Sequence, residues 1–262
     1  MNNNIKPMLI INMGFSFIIA AMHKLSFVVI CALVIGCNQS SNNAIRLAVA
    51  ANAYLAIDSL VSTYDGQLPI EITISSSGKL TTQIIQGAPF DLLISADELY
   101  PQAIVDAGLS YSPPSVFAEG FIILMGANRN DISIDNIAQL KRIAIANPRL
   151  APYGKASLQF LKNAQINGPE YVFGESINQV NQYIISGNVP LGITAKSTIR
   201  IPEADGLSWV EVDKNLYDPI KQSCVIIDRE QPYMQEIVEF YQFLQSKQAQ
   251  EVLNYYGYKT PQ

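Results

Sequence analysis

Hydrophobic and polar positions set up two successive alternations of strand and helix along this chain. Ile45-Arg-Leu-Ala-Val-Ala50 is a short apolar run of strand type, and Asn52-Ala-Tyr54 opens a helix through Leu60 and Val61. Ile70-Glu-Ile-Thr-Ile74 alternates with a period of two, after which three serines and Gly78 introduce a helix over 79–86. Gly87-Ala-Pro89 turns the chain into Phe90-Asp-Leu-Leu-Ile-Ser95, a continuous apolar run of the buried parallel kind. A helix over 97–107 follows and stops at Gly108. This rhythm predicts a parallel sheet covered on both faces.

Phe117-Ala-Glu-Gly-Phe-Ile-Ile-Leu-Met125 reads as an extended crossing into a second lobe. There, strands at 142–146, near 171–173 and at 191–194 alternate with helices over 155–163 and 176–186, and 147–153 is a loop. The run 220–227 crosses back, and amphipathic helices over 234–246 and 247–256 close the chain. The expected fold is α/β with two lobes, each a mostly parallel sheet flanked by helices. Lobe I takes 44–118 and 228–262; lobe II takes 119–227. Two lobes hinged by two strands bind in the cleft between them.

Ahead of these elements, 8–36 is almost wholly apolar, broken by His23-Lys24. Met22-His23-Lys24, a twelve-residue apolar stretch ending at Gly36, and then Cys37 have the layout of a secretory signal. Val34-Ile35-Gly36-Cys37 resembles the bacterial lipobox, whose cysteine is lipidated and becomes the mature N-terminus. The expectation is a lipoprotein-type signal over 1–36, cleavage before Cys37, and a polar tether over 37–43. Met22 competes with Met1 as the start. An uncleaved anchor is the alternative, although the stretch from Leu25 falls short of the roughly 20 residues a spanning helix needs. Both readings put the rest of the chain outside the cytoplasm, and the first ties it to the membrane only through lipid on Cys37.

Composition narrows the chemistry. A chain of 262 residues has room for one or two domains, and 49% hydrophobic against 15% charged residues excludes disorder. A formal charge of −5 argues against a nucleic-acid partner. Lys6 and Lys24 lie in the leader with no acid beside them, so cleavage takes the charge to −7. Cleavage also removes His23, the only histidine. Ser-His-Asp and Cys-His nucleophiles are then excluded, as are His-rich zinc sites. Loss of Cys31 and acylation of Cys37 leave Cys224 without a disulfide partner, inside Ser223-Cys-Val-Ile-Ile227, a run that reads as buried strand. Ser75-Ser-Ser-Gly-Lys-Leu80 looks like a phosphate loop only superficially. It lacks the leading Gly, and Leu80 stands where Ser or Thr holds magnesium. A carboxylate-based hydrolase using Asp58, Asp91, Asp97 or Glu175 is the remote enzymatic reading. Trp209 and Tyr255, Tyr256 and Tyr258 read as packing aromatics.

Small polar residues recur where a strand hands over to a helix. Asn52 follows the first strand, Ser77 and Gly78 the second, and Gly174-Glu-Ser176-Ile177 precedes the helix containing Val180; Pro152-Tyr-Gly154 leads into another. Each is an ordinary N-cap taken alone. Together, on both lobes, four helix starts form a cage of neutral donors for a tetrahedral oxyanion, since free N–H groups and the helix dipole favour an anion there. Such a cage suits a dianion without protons, because a protonated ligand meets donors and no acceptor. A phosphate-type ligand calls for a nearby carboxylate, for which Asp58, Asp91 and Asp97 are the candidates, with Asp91 more plausibly bracing its strand end.

These segments resemble the periplasmic molybdate-binding proteins of ABC importers. The resemblance is carried in order by Val49-Ala-Ala-Asn52, Ser75-Ser-Ser-Gly-Lys-Leu80, Gln86-Gly-Ala-Pro-Phe-Asp91 with Ser95-Ala-Asp97, Asn147-Pro-Arg-Leu-Ala-Pro-Tyr-Gly154, Gly174-Glu-Ser-Ile177, Pro190-Leu-Gly-Ile193 and the terminal Gln248 to Gly257. It implies the type II periplasmic-binding-protein fold and a binding protein rather than an enzyme. It also implies a monomer that captures molybdate or tungstate, uses no cofactor, and delivers its cargo to a permease. Molybdenum enters only as the bound oxyanion, with no direct protein ligand to the metal. By position the resemblance assigns donors to Asn52, Ser77, Tyr153 and Ile177, with a further backbone contact at Ala51. One departure is Ala195, where some members place a donating tyrosine; it favours sulfate, phosphate or another small solute as the alternative ligand.

Overall fold

The computed structural model describes residues 43–127 and 132–260, and residues 43–262 form one compact unit. The expected signal, Cys37 and nearly all of the tether lie outside the described residues.

The strands build two five-stranded sheets. The first, in the order β2-β1-β3-β10-β4, takes β1 (Ile45–Ala50), β2 (Ile70–Ser75), β3 (Leu92–Ser95), β4 (Ser115–Gly120) and β10 (Ile220–Ile226). The second, in the order β7-β6-β8-β5-β9, takes β5 (Ile122–Gly126), β6 (Arg142–Ala146), β7 (Glu170–Gly174), β8 (Leu191–Ala195) and β9 (Ser208–Glu211). Each sheet is mostly parallel with one reversed strand. β10 runs antiparallel to β3 and β4, and β5 antiparallel to β8 and β9.

The reversed strands are the two crossing strands. The extended run expected as a single crossing is divided at Phe121, with β4 in the first sheet and β5 in the second. The return strand belongs wholly to the first sheet, where it fills the place between β3 and β4 and is buried along nearly all its length. Sheet membership therefore changes at Phe121 and between β9 and β10.

Period-two alternation sorts the side chains of the first sheet. Leu47 and Val49 pack beneath α1 (Tyr54–Thr63), α7 (Met234–Phe243) and α8 (Lys247–Tyr255), against Ile57, Leu60, Phe240 and Leu253. Ala48 and Leu93 face the other side, under Leu80 of α2 (Ser77–Ile85) and Ile104 of α3 (Leu99–Asp106). A single core serves the second sheet, where Ile143, Ile145 and Ile193 meet Phe160 of α5 (Pro152–Asn163) and Val180 of α6 (Ile177–Ile185). A short α4 (Ile134–Ile137) and the edge strand β9 carry no clear periodicity and were not expected from sequence. Cys224 is fully buried in β10, and burial pushes its thiol well above the ordinary range.

Helix ends follow local chemistry. Beyond α2 and α3 the chain passes through Gly87 and Gly108 at φ +91° and +69°, a left-handed conformation that costs glycine little. The next N–H groups reach back, Ala88 to Gln83 O at 2.9 Å and Leu109 to Ile104 O at 3.0 Å. At the other end, α2 begins at Ser77 and α5 at Pro152, two and three residues before the expected starts. Pro152 suits a first helical position because its missing N–H has no partner to lose there. These earlier starts put Ser77 and Tyr153 inside first turns.

Candidate functional site

The turns after β1, β2 and β3 meet the starts of α5 and α6 around one small cavity. From the first sheet it is lined by Ala50, Ala51, Asn52, Ser76, Ser77 and Ala96, and from the second by Ala151, Pro152, Tyr153, Ser176 and Ile177. All five sequence-assigned donors, Ala51 included, thus surround a common space at the carboxyl ends of parallel strands, where open α/β sheets place ligands. No lining residue carries a formal charge.

What each residue offers depends on its other partners. Ser77 Oγ accepts the Ala96 N–H at 3.1 Å, so its own proton remains to be donated. Ser77, Tyr153 and Ile177 sit in the first turns of α2, α5 and α6, where main-chain N–H groups have no intrahelical acceptor. Three helix N-termini therefore present positive dipole ends to the cavity. Gly78 N–H is already committed, bonding Leu150 O across the two halves at 3.0 Å.

Two assignments change in detail. Ala51 N–H is taken by Ser75 O at 2.9 Å, because the turn continues the β1–β2 ladder by one residue, so Ala51 lines the cavity without a free donor. Asn52 turns its carboxamide away into a buried cluster. Its Nδ2 donates to Gln222 Oε1 at 2.7 Å and Tyr258 Oη at 3.0 Å, with Tyr153 Oη at 3.4 Å. The Asn52 carbonyl accepts from Tyr258 Oη at 2.7 Å and Ser197 Oγ at 2.8 Å. Only the main-chain N–H of Asn52 remains for a ligand.

That cluster holds the two halves of the site in register, and sequence reading missed most of it. Gln222 lies at the register shift between β10 and β4, the kind of irregularity that re-aims a side chain. Gly120 makes room: a Cβ there would stand 2.0 Å from Tyr153 Oη. Burial raises the Tyr153 hydroxyl well above its ordinary pKa, and burial likewise pushes Tyr258 up to about 12. Both hydroxyls keep their protons at any physiological pH.

Further contacts close the cleft outside the cavity. Tyr100 Oη donates to Arg149 O at 3.1 Å, and Lys79 Nζ pairs with Glu175 Oε2 at 2.5 Å. Lys79, in the first turn of α2, thus spends its charge on Glu175. Ser76 differs from its neighbours: its Oγ is buried and has no hydrogen-bond partner.

The carboxylates of the hydrolase reading do not converge. Asp91 is buried before β3, where its Oδ2 accepts Arg46 N–H at 2.8 Å and Oδ1 lies 3.4 Å from Arg229. Asp97 follows β3 and accepts Tyr100 N–H at 3.2 Å. Burial raises the pKa of both. Asp58 is exposed on α1. None of these three lines the cavity. Ala195 is fully buried at the end of β8 and does not line it either. A larger groove of about 630 Å³ beside the cavity shares only Ala51, Asn52 and Ile177 with it; the Glu203 carboxylate on its wall opposes an anion. Among the described residues no group of three or more His, Cys, Asp or Glu side chains could hold a metal ion.

Known proteins match this architecture along almost its whole length. Residues 45–259 match the family model described as bacterial extracellular solute-binding protein. The molybdate-binding protein ModA of Rhodobacter capsulatus is 34% identical over 70% of this chain and 75% of its own. ModA of Azotobacter vinelandii is 30% identical over 82% and 89%. The solved structure of the Azotobacter vinelandii periplasmic molybdate-binding protein superposes with a TM-score of 0.75 at 26% identity, covering 83% of this chain and all of that one. The chain belongs to the bacterial extracellular solute-binding protein family, with the molybdate-binding ModA proteins among its relatives.

Proposed function

We propose that the protein captures molybdate or tungstate in the cavity between its two sheets and delivers it to an ABC permease. The observation that carries this is the convergence of Asn52, Ser77, Tyr153 and Ile177 on one cavity with no charged lining residue. Each hydrogen bond to a charged oxyanion is worth about 1.5–3 kcal/mol. Four or five such bonds, less the cost of closing the cleft, suffice for tight capture. The ligand bridges donors from both sheets, so binding favours the closed arrangement over an open one. The relatives named molybdate-binding support the reading, and the family is one of solute-binding transport proteins rather than enzymes.

The absence of a lining carboxylate weighs against phosphate, whose proton at neutral pH needs an acceptor. Sulfate is the second reading. The observation behind it is Ala195, which supplies no hydroxyl where some members of the resembled family place a donating tyrosine. Against it, a cage sized for the longer metal–oxygen bonds of molybdate would leave gaps around sulfate. Isothermal titration with molybdate, tungstate and sulfate separates these readings. Equal affinity for sulfate and molybdate contradicts the first.

The protein works in the periplasm or cell envelope as a monomer, anchored only by lipid on Cys37 after cleavage of 1–36. Among the described residues no helix is long and apolar enough to cross a membrane. A Bacillus subtilis relative, 30% identical over 86% of this chain, is described as a substrate-binding lipoprotein of an ABC transporter. Mass spectrometry of the mature N-terminus tests the anchor, and an unmodified Cys37 or an intact leader contradicts it.

A further inference from the structure

We infer that the Ser76 hydroxyl is an additional donor to the bound oxyanion; the inference rests on the function proposed above. Ser76 is the N-cap of α2 and lines the cavity. Only 3% of it is exposed, and its Oγ is buried with no partner. A serine in this position ordinarily accepts a first-turn N–H of its own helix. Ser133 and Ser246, N-caps remote from the cavity, do so, accepting from Asn136 N and Ala249 N. Ser76 does not. It forgoes the cap and bears the desolvation of a buried hydroxyl, a cost that alanine avoids.

The arrival of a ligand resolves that cost. Its neighbour Ser77 already uses an oxygen lone pair on Ala96 N–H, which fixes that hydroxyl and directs its proton elsewhere. Ser76 has no such tie, so its hydroxyl is uncommitted. An oxyanion in the cavity then receives hydroxyl donors from two successive residues at one helix start, beside the first-turn N–H groups. A hydroxyl can give a fully deprotonated tetrahedral oxyanion one further hydrogen bond.

The test is calorimetric titration of the purified protein with sodium molybdate, for wild type and Ser76→Ala, together with the ligand-free melting temperature of each. The expected result is about 10- to 100-fold weaker binding by the variant, with a ligand-free melting temperature equal to or above wild type. Unchanged affinity in the variant, with wild type binding normally, overturns the inference and leaves the proposed function standing. No molybdate binding by wild type overturns both. Should Ser76→Ala fail to fold, a crystal structure of wild type with tungstate decides. Ser76 Oγ within about 3.2 Å of a tungstate oxygen supports the inference, and Oγ turned onto its own helix or bridged only to water overturns it.

Discussion

At Ser77 one oxygen serves both fold and ligand, accepting Ala96 N–H while holding a proton toward the cavity. Ser77→Ala therefore has two effects. Ligand affinity falls about 10- to 100-fold with the lost donor, and the ligand-free protein loses about 1–3 kcal/mol because Ala96 N–H is left buried without its acceptor. Calorimetry and urea unfolding read the two separately; loss of affinity with no loss of stability contradicts the bond. Asn52→Ala removes no ligand-facing side-chain group but strands Gln222 Oε1. The dominant expected effect is thus destabilisation of about 1–3 kcal/mol, with weaker binding following from the misplaced turn. Tyr153 and Tyr258 give a pH signature. Burial raises both hydroxyls, so the folded state keeps protons that the unfolded chain releases from about pH 10. Their contribution to stability is constant below that pH and is lost as pH climbs toward about 12. Urea unfolding at pH 8, 10 and 11 checks this, and Tyr258→Phe should flatten the decline.

Among elements, the helix starts explain both what the sequence revealed and what it hid. The turns that carry Asn52, Ser77, Tyr153 and Ile177 were legible because small polar residues between an apolar strand and an amphipathic helix have a local signature, whereas the choice of these four as donors came from the resemblance to the molybdate-binding proteins. The onsets of α2 and α5 were placed two and three residues late, since Ser77-Gly78 and Pro152-Tyr-Gly154 read as turn material although each tolerates a first turn. The buried cluster was not legible at all. Gln222 and Tyr258 reach Asn52 from 170 and 206 residues away, and no local periodicity encodes such a meeting. Tyr258 read as a packing aromatic; its ring does pack in the core, while its hydroxyl bonds Asn52 on two sides. Gly120 belongs to the same cluster, and Gly120→Ala drives a methyl into Tyr153 Oη. It should cost about 1–3 kcal/mol and weaken ligand binding by displacing α5. Wild-type affinity in this variant contradicts the assigned geometry.

Taken as a whole molecule, the fold divides labour between two sheets, and the chain passes from one to the other at Phe121 and between β9 and β10. The two-lobed α/β plan was visible in the double alternation of strand and helix, whereas the assignment of β10 to the first sheet was not, because an apolar strand does not announce its neighbours. Lys79 of α2 meets Glu175, which precedes α6, across the two halves. This pair is substantially exposed, so Glu175→Gln should weaken binding by no more than about 1 kcal/mol, and less at high salt. A larger, salt-independent loss means that Glu175 acts on the ligand site itself. The central claim is that neutral donors from both sheets, without a lining charge or carboxylate, select a proton-free tetrahedral dianion. Competition calorimetry of the purified protein with molybdate, tungstate, sulfate and phosphate at pH 7 tests it most directly. The account predicts tight binding of molybdate and tungstate, much weaker sulfate and no phosphate; phosphate binding as strong as molybdate contradicts it.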